Sequence, residues 1–145
     1  MSCAFCNPDV LACQEFFTAE SVRALIDYHP ISEGHSLIIP KRHVGCFEDL
    51  TDNEWKEIRE VILRVHRAAS SVFGEADYLL LQKNGKGVGQ TVPHVHFHYV
   101  RQSGWTQTFW FLRFFFSWMI PAMSAEAQAA LRDQLAQACA GSQSL

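Results

Sequence analysis

His94-Val95-His96-Phe97-His98-Tyr99-Val100 alternates imidazoles with apolar side chains at a period of two. Successive side chains of a β-strand point to opposite faces. The stretch therefore predicts a strand over 94–101 with His94, His96 and His98 on one face and Val95, Phe97 and Tyr99 on the other. The apolar face can cover the helix side of a sheet, whereas three aligned imidazoles serve no packing purpose. Spaced about 6.6 Å apart along a strand, neutral histidines offer nucleophile, base and acid without net charge, which suits an anionic phosphate. Directly upstream lie Gly85, Gly87 and Gly89, then Gln90 and Thr91. Glycines let the backbone approach a ligand closely, and free amides there can cradle phosphate oxygens.

Working outward, Val10–Phe17 and Val22–Tyr28 are short apolar runs split by Thr18-Ala19-Glu20, which predicts a hairpin. Ser36–Ile39 reads as a third strand stopped by Pro40, and Tyr78–Lys83 as a fourth. Thr51 and Glu54 form a T-x-x-E capping box. Trp55, Ile58, Val61, Ile62, Val65, Ala69 and Val72 follow at helical spacing, and Gly74 closes the helix. His66 falls beside that stripe and reads as a partly exposed surface histidine. A last helix from Ser124 to about Cys139 carries Leu131, Leu135 and Ala138 on one face. The sum is an α+β fold: a five-stranded antiparallel sheet with a long central helix and a C-terminal helix.

The chain has 145 residues, 48% of them hydrophobic and 19% charged, as expected of one core-forming unit without repeats or linkers. Its net charge of −3 provides no basic excess to track a phosphate backbone, so a nucleic-acid duplex is not an expected partner. The first ten residues show no secretory pattern, and the apolar stretch 114–125 is too short to span a bilayer. A cytoplasmic protein is expected. Five cysteines without a disulfide rhythm agree with a reducing compartment, where Cys3-x-x-Cys6 is a metal clip, a redox pair or merely two small hydrophobes.

Taken together these residues resemble the histidine triad (HIT) family of nucleotide hydrolases and transferases. The match runs from about residue 3 to 101. It includes Asp27, Pro30, Gly34 and His35 leading into Leu37-Ile38-Ile39-Pro40-Lys41-Arg42-His43, Asn84 ten residues before His94, and Gly89-Gln90-Thr91-Val92. The resemblance implies a HIT-like core over 1–104 that acts on the α-phosphate of a nucleotide, such as a dinucleoside polyphosphate or a nucleoside phosphoramidate. It implies His96 as nucleophile forming a nucleotidyl-histidine, with His98 and His35 assisting. It further implies nucleotide contacts from Asp27, Asn84, Gly89, Gln90 and Thr91 as well as His96 and His98. Bacterial-type relatives hold a structural zinc, which here implies Cys3, Cys6, His43 and His94 as ligands.

Pro93 stands where the family often has a bulky apolar residue. Residues 105–145 are a further expectation: an aromatic-rich segment, Trp105 to Ile120, and a C-terminal helix, packing on the same unit or on a dimer partner. So apolar a segment suggests a strand or arm completing a homodimer, with lining of the active site as the alternative. Two other readings compete with the enzyme: a metal-dependent hydrolase using the His-x-His pair, and a nucleotide-binding scaffold without turnover.

Overall fold

A computed structural model of the chain describes residues 3–102, 104, 107–116 and 119–141; Trp105, Trp118 and residues 142–145 lie outside the described residues. Five strands, β1 (Glu15–Thr18), β2 (Val22–Ile26), β3 (Ser36–Pro40), β4 (Tyr78–Gln82) and β5 (Phe97–Arg101), form one antiparallel sheet in the order β1-β2-β3-β5-β4. Four α-helices accompany it: α1 (Pro8–Gln14), α2 (Asp52–Phe73), α3 (Gln107–Phe115) and α4 (Ala125–Gly141).

The capping box forms as expected. The Glu54 backbone N–H donates to Thr51 Oγ1 at 3.2 Å, and Glu54 Oε2 accepts the Thr51 N–H at 2.9 Å. The same carboxylate takes two bonds from the Arg42 guanidinium, at 3.0 and 2.8 Å, which pulls Glu54 down to about 2. The turn after β3 is thereby fastened to the start of α2. Ile58, Val61, Ile62, Val65 and Ala69 are buried against Ala24, Ile38, Val95, Phe97 and Tyr99, and Leu135 of α4 joins the same core. Among the described residues no helix is long and apolar enough to cross a membrane.

Three expectations need correction. Residues 8–14 are helical, leaving only 15–18 for the first strand of the hairpin. Asn7 caps that helix by accepting the Asp9 N–H at 2.9 Å, and Pro8 occupies the first turn, so Asn-Pro-Asp outweighed the apolar run. Trp55 is 46% exposed, stacked edgewise on Phe47 and tilted over Phe97 at the rim of the core. His66 is half-buried, as its place beside the stripe implies, and is hydrogen-bonded to the Tyr99 hydroxyl at 2.9 Å. The aromatic segment forms a helix, α3, instead of a strand. Trp110 is its buried side chain among the described ones, packed with Ile31 and Val100.

The sheet ladder also begins later than the alternation suggests. β5 pairs with β3 from Phe97 opposite Ile38, and Pro40 has no N–H to extend the ladder upstream. His94, Val95 and His96 nevertheless stay in line, because the Val95 N–H donates to Val44 O at 2.7 Å and places Val95 in the core.

Candidate active site

The three histidines are held by bonds that fix which ring nitrogen carries the proton. His94 is fully buried, and its Nε2–H donates to Pro40 O at 2.9 Å, leaving the Nδ1 lone pair free. The His96 Nδ1–H donates to the His94 carbonyl at 2.7 Å, so its lone pair lies on Nε2. Burial holds both rings below the ordinary histidine range, hence neutral.

His35 and His98 form a relay. The Ile31 backbone N–H donates to His35 Nδ1 at 3.1 Å, and a backbone N–H can only donate. A neutral His35 must then carry its proton on Nε2, 3.0 Å from His98 Nδ1. His98 accepts there and keeps its own proton on Nε2. Burial pushes both His35 and His98 down to about 3. Gly34 makes the preceding turn possible at φ +73°, and a Cβ there would stand 3.0 Å from the Phe73 ring.

A cavity of about 340 Å³ opens beside these rings, lined by His96, His98, Asp27, Gly89 and Thr91. Five expected residues therefore meet in one place. Asp27 anchors the His29 N–H through Oδ1 at 2.8 Å, and its Oδ2 lies 3.4 Å from His35 Nε2. Burial raises the Asp27 carboxyl above its usual value.

Asn84 and Gln90 are placed differently. Asn84 Oδ1 accepts the Phe47 N–H at 2.9 Å, and its amide donates to Glu48 at 2.8 Å. Gln90 is buried, with Oε1 accepting the Gly85 N–H at 2.7 Å and Nε2 donating to Gly45 O at 3.2 Å. Both side chains fasten the glycine loop to the turn after β3 and do not line the cavity.

The structure adds Lys83, the cation of the cavity wall, and Phe5, whose ring meets His94 and His96 edgewise. Lys83 closes the strand pattern just before the glycine loop, a signal that could have found it. Phe5 sits between the two cysteines of Cys3-x-x-Cys6, which carry it to the histidines.

Cys3, Cys6, His43 and His94 converge with their ligand atoms within 4.8 Å of one another. Cys3 Sγ lies 3.4 Å from His94 Nδ1, and Cys6 Sγ lies 3.5 Å from His43 Nδ1 and 3.6 Å from His94 Nδ1. Sulfur–nitrogen edges of a tetrahedron around zinc are about 3.5 Å, given bonds of about 2.3 and 2.0 Å, so the four residues fit that ion. Asp27, His35 and His98 also converge within 4.8 Å. Their hydrogen bonding opposes a metal: with Nδ1 of His35 accepting from Ile31, Nε2 holds a proton and offers no lone pair.

Two kinds of comparison bear on this geometry. A family model described as the HIT domain matches residues 10–104. The adenosine 5'-monophosphoramidase of Schizosaccharomyces pombe is 37% identical over 103 residues, covering 69% of this chain and 74% of its own. The bis(5'-adenosyl)-triphosphatase of Dictyostelium discoideum is 35% identical over 85 residues, covering 59% of this chain and 57% of its own. Among solved structures, a Zn-bound histidine triad family protein from Mycobacterium smegmatis superposes with a TM-score of 0.70 at 26% identity, over 97% of this chain and 98% of that one.

The relay has a consequence for acid stability. His35 titrates near the usual 6.5 when unfolded and at about 3 when folded, so between those values the unfolded chain binds more protons. Stability should fall as pH drops from about 6.5 towards about 3, by up to ~1.4 kcal/mol per pH unit for this one group. In His35→Gln, thermal unfolding followed from pH 7 to pH 4 should show a shallower decline; an unchanged slope would show that His35 does not carry it.

Proposed function

The chain belongs to the HIT-domain family, and on that premise we propose that it is a nucleotide hydrolase attacking the α-phosphorus of its substrate through His96. The observation that carries this reading is the His96 Nδ1–H bond to the His94 carbonyl, which leaves Nε2 as the lone pair beside the cavity. The Nε2 electron pair forms a P–N bond while the bond from phosphorus to the leaving atom breaks, its electrons departing with the leaving group. The ring becomes cationic as it does so, and its Nδ1–H bond to the carbonyl strengthens. His98 Nε2–H donates to the leaving atom and stabilises the charge developing there, and a departing amine takes up a proton from solvent. Water, or another acceptor in the transferase variant of the reaction, then forms the new bond to phosphorus. The P–N bond breaks, its electrons return to Nε2, and the acceptor's proton passes to solvent.

Neutral imidazoles suit this sequence because a cationic ring has no lone pair for attack. Lys83 supplies positive charge to the cavity instead, while Gly89, at φ +83°, and Thr91 lie where phosphate oxygens would be held. Asp27 on the same wall is suited to ribose hydroxyls. His96→Asn is expected to keep the fold and nucleotide affinity while turnover drops by about two orders of magnitude or more. Near-normal turnover in that folded variant would rule out covalent catalysis.

The cysteine–histidine cluster is the proposed seat of one zinc ion. Four protein ligands leave no open position, so the metal's contribution there is structural. The Pro40 carbonyl bonded to His94 Nε2 orients the ring for it, a common outer-shell arrangement. Elemental analysis should find about one zinc per chain. Cys3→Ser combined with Cys6→Ser should remove it and lower the melting temperature, with turnover surviving in the folded fraction. Full occupancy in the double variant would place the metal elsewhere.

A homodimer completes the proposal. Among the described residues β4 pairs on one side alone, with Tyr78 38% and Leu80 43% exposed, and Phe109 and Leu112 of α3 are exposed together with Phe116 in the turn after it. A two-fold pairing would cover such surfaces. Light scattering is expected to give about 33 kDa, twice the 16.5 kDa chain, and Phe116→Glu or Leu80→Lys to weaken association. A 16.5 kDa species at micromolar concentration would contradict the dimer.

A further inference from the structure

The loop from Asp27 to Ile31 lies between the catalytic cavity and the C-terminal aromatic segment, and it is held from both sides. On the outer side, the Met123 N–H donates to Tyr28 O at 3.2 Å, and His29 Nδ1 donates to Ile120 O at 3.0 Å. Trp110 of α3 buries itself against the Ile31 side chain and donates from its indole to Arg101 O at 3.2 Å. Three residues on, the Arg113 Nε–H donates to the Ile31 carbonyl. Positions three apart share a helix face, so Trp110 and Arg113 grip the same residue, one by its side chain and the other by its backbone. On the inner side, the Ile31 N–H is the bond that fixes the His35 tautomer.

We propose that Arg113 is a positioning residue for the phosphate chemistry: by holding the Ile31 carbonyl, it keeps the Ile31 N–H on His35 Nδ1 and therefore keeps the His98 proton on Nε2, facing the substrate. The proposal rests on the reading that His98 donates to the leaving group. Its logic is a chain of obligatory choices. Without the Ile31 donor, His35 is free to carry its proton on Nδ1 and to accept at Nε2. His98 then donates from Nδ1, and its Nε2 presents a lone pair to the leaving atom. Neutral imidazole takes whichever tautomer its partners favour; with the Ile31 amide displaced, both rings can reverse, since Asp27 Oδ2 can accept from His98 Nδ1 at 3.7 Å as it does from His35 Nε2 at 3.4 Å. Arg113 is not among the residues lining the histidine cavity, and it lines a separate apolar cleft with Pro30 and Phe116. Its effect on the reaction is transmitted wholly through Ile31.

The test uses the full chain with two adenosine 5'-phosphate derivatives, one an alkyl phosphoramidate with a poor leaving group and one a 4-nitrophenyl ester with a good one. In Arg113→Met, kcat for the phosphoramidate should fall about tenfold or more while the aryl ester changes by less than about twofold, with KM unchanged for both. Nitrogen-15 spectra should show His35 Nδ1 change from an unprotonated to a partly protonated signal. Arg113→Lys, which keeps a donor, should restore both readouts in part. Equal losses on the two substrates, or an unchanged His35 signal, would overturn the proposal and leave Arg113 a structural residue. His98→Gln separates the underlying reading: it should reproduce the selective loss. If it does not, the role of His98 fails, and the His35 signal in Arg113→Met still decides whether Arg113 sets the tautomer. Should Arg113→Met unfold, Arg113→Gln carries the same comparison.

Discussion

The peptide and ring of His94 are fixed at three points, and each point serves a different part of the molecule. Nε2 is bonded to Pro40 at the end of β3, Nδ1 faces the two cysteine sulfurs, and the carbonyl holds His96 at 2.7 Å. Burying this residue completely removes competing water from all three. The N-terminus, the central strand and the proposed nucleophile therefore share one junction, and the orientation of His96 follows from the backbone position of His94. A side chain packed from the other face, Val95 in the core, prevents that backbone from shifting.

The electrostatics of the site are arranged by burial more than by charge. Three imidazoles, His35, His96 and His98, lie near one another, and protonating any of them would place a cation beside neighbours that are already short of water. Keeping them neutral leaves lone pairs available and lets hydrogen-bond direction carry the organisation. Lys83 then supplies positive charge at the cavity wall. A negatively charged substrate brings its own counterpart to that lysine without the nucleophile having to be charged.

Much of this was legible in the residues. The period-two alternation from His94 to Val100 gave the facing of the side chains, and the capping box gave the start of α2 to the residue. What was hidden depended on contacts distant in sequence. Gln90 reads as a donor from its place after a glycine loop and Asn84 from the family resemblance; only the fold shows that they bond Phe47, Glu48, Gly85 and Gly45 and stand outside the cavity lining. Val10–Phe17 is an apolar run that fits either a strand or a helix, and the decisive Asn7-Pro8 cap lies just outside it. The aromatic tail had strand-forming composition, yet Trp110 and Arg113 find their partner at helical spacing on Ile31. The relay from Ile31 to His98 could not be read from sequence, since it joins a loop amide to rings on two strands.

One wall of the cavity is built apart from the sheet. Ala4, Phe5, Val10 and Gln14 line it from the N-terminal turn and α1, while the reactive histidines come from β5 and the residues just before it. The two halves meet through the cysteine–histidine cluster and a small apolar contact of Phe5 with Leu25, Leu37 and Ile39. The N-terminal wall and the histidine side of the cavity are thus supplied by separate stretches of chain. Substitutions at positions 4, 10 and 14 would reshape the cleft while the His96 bond to the His94 carbonyl and the Ile31–His35–His98 relay stay as they are.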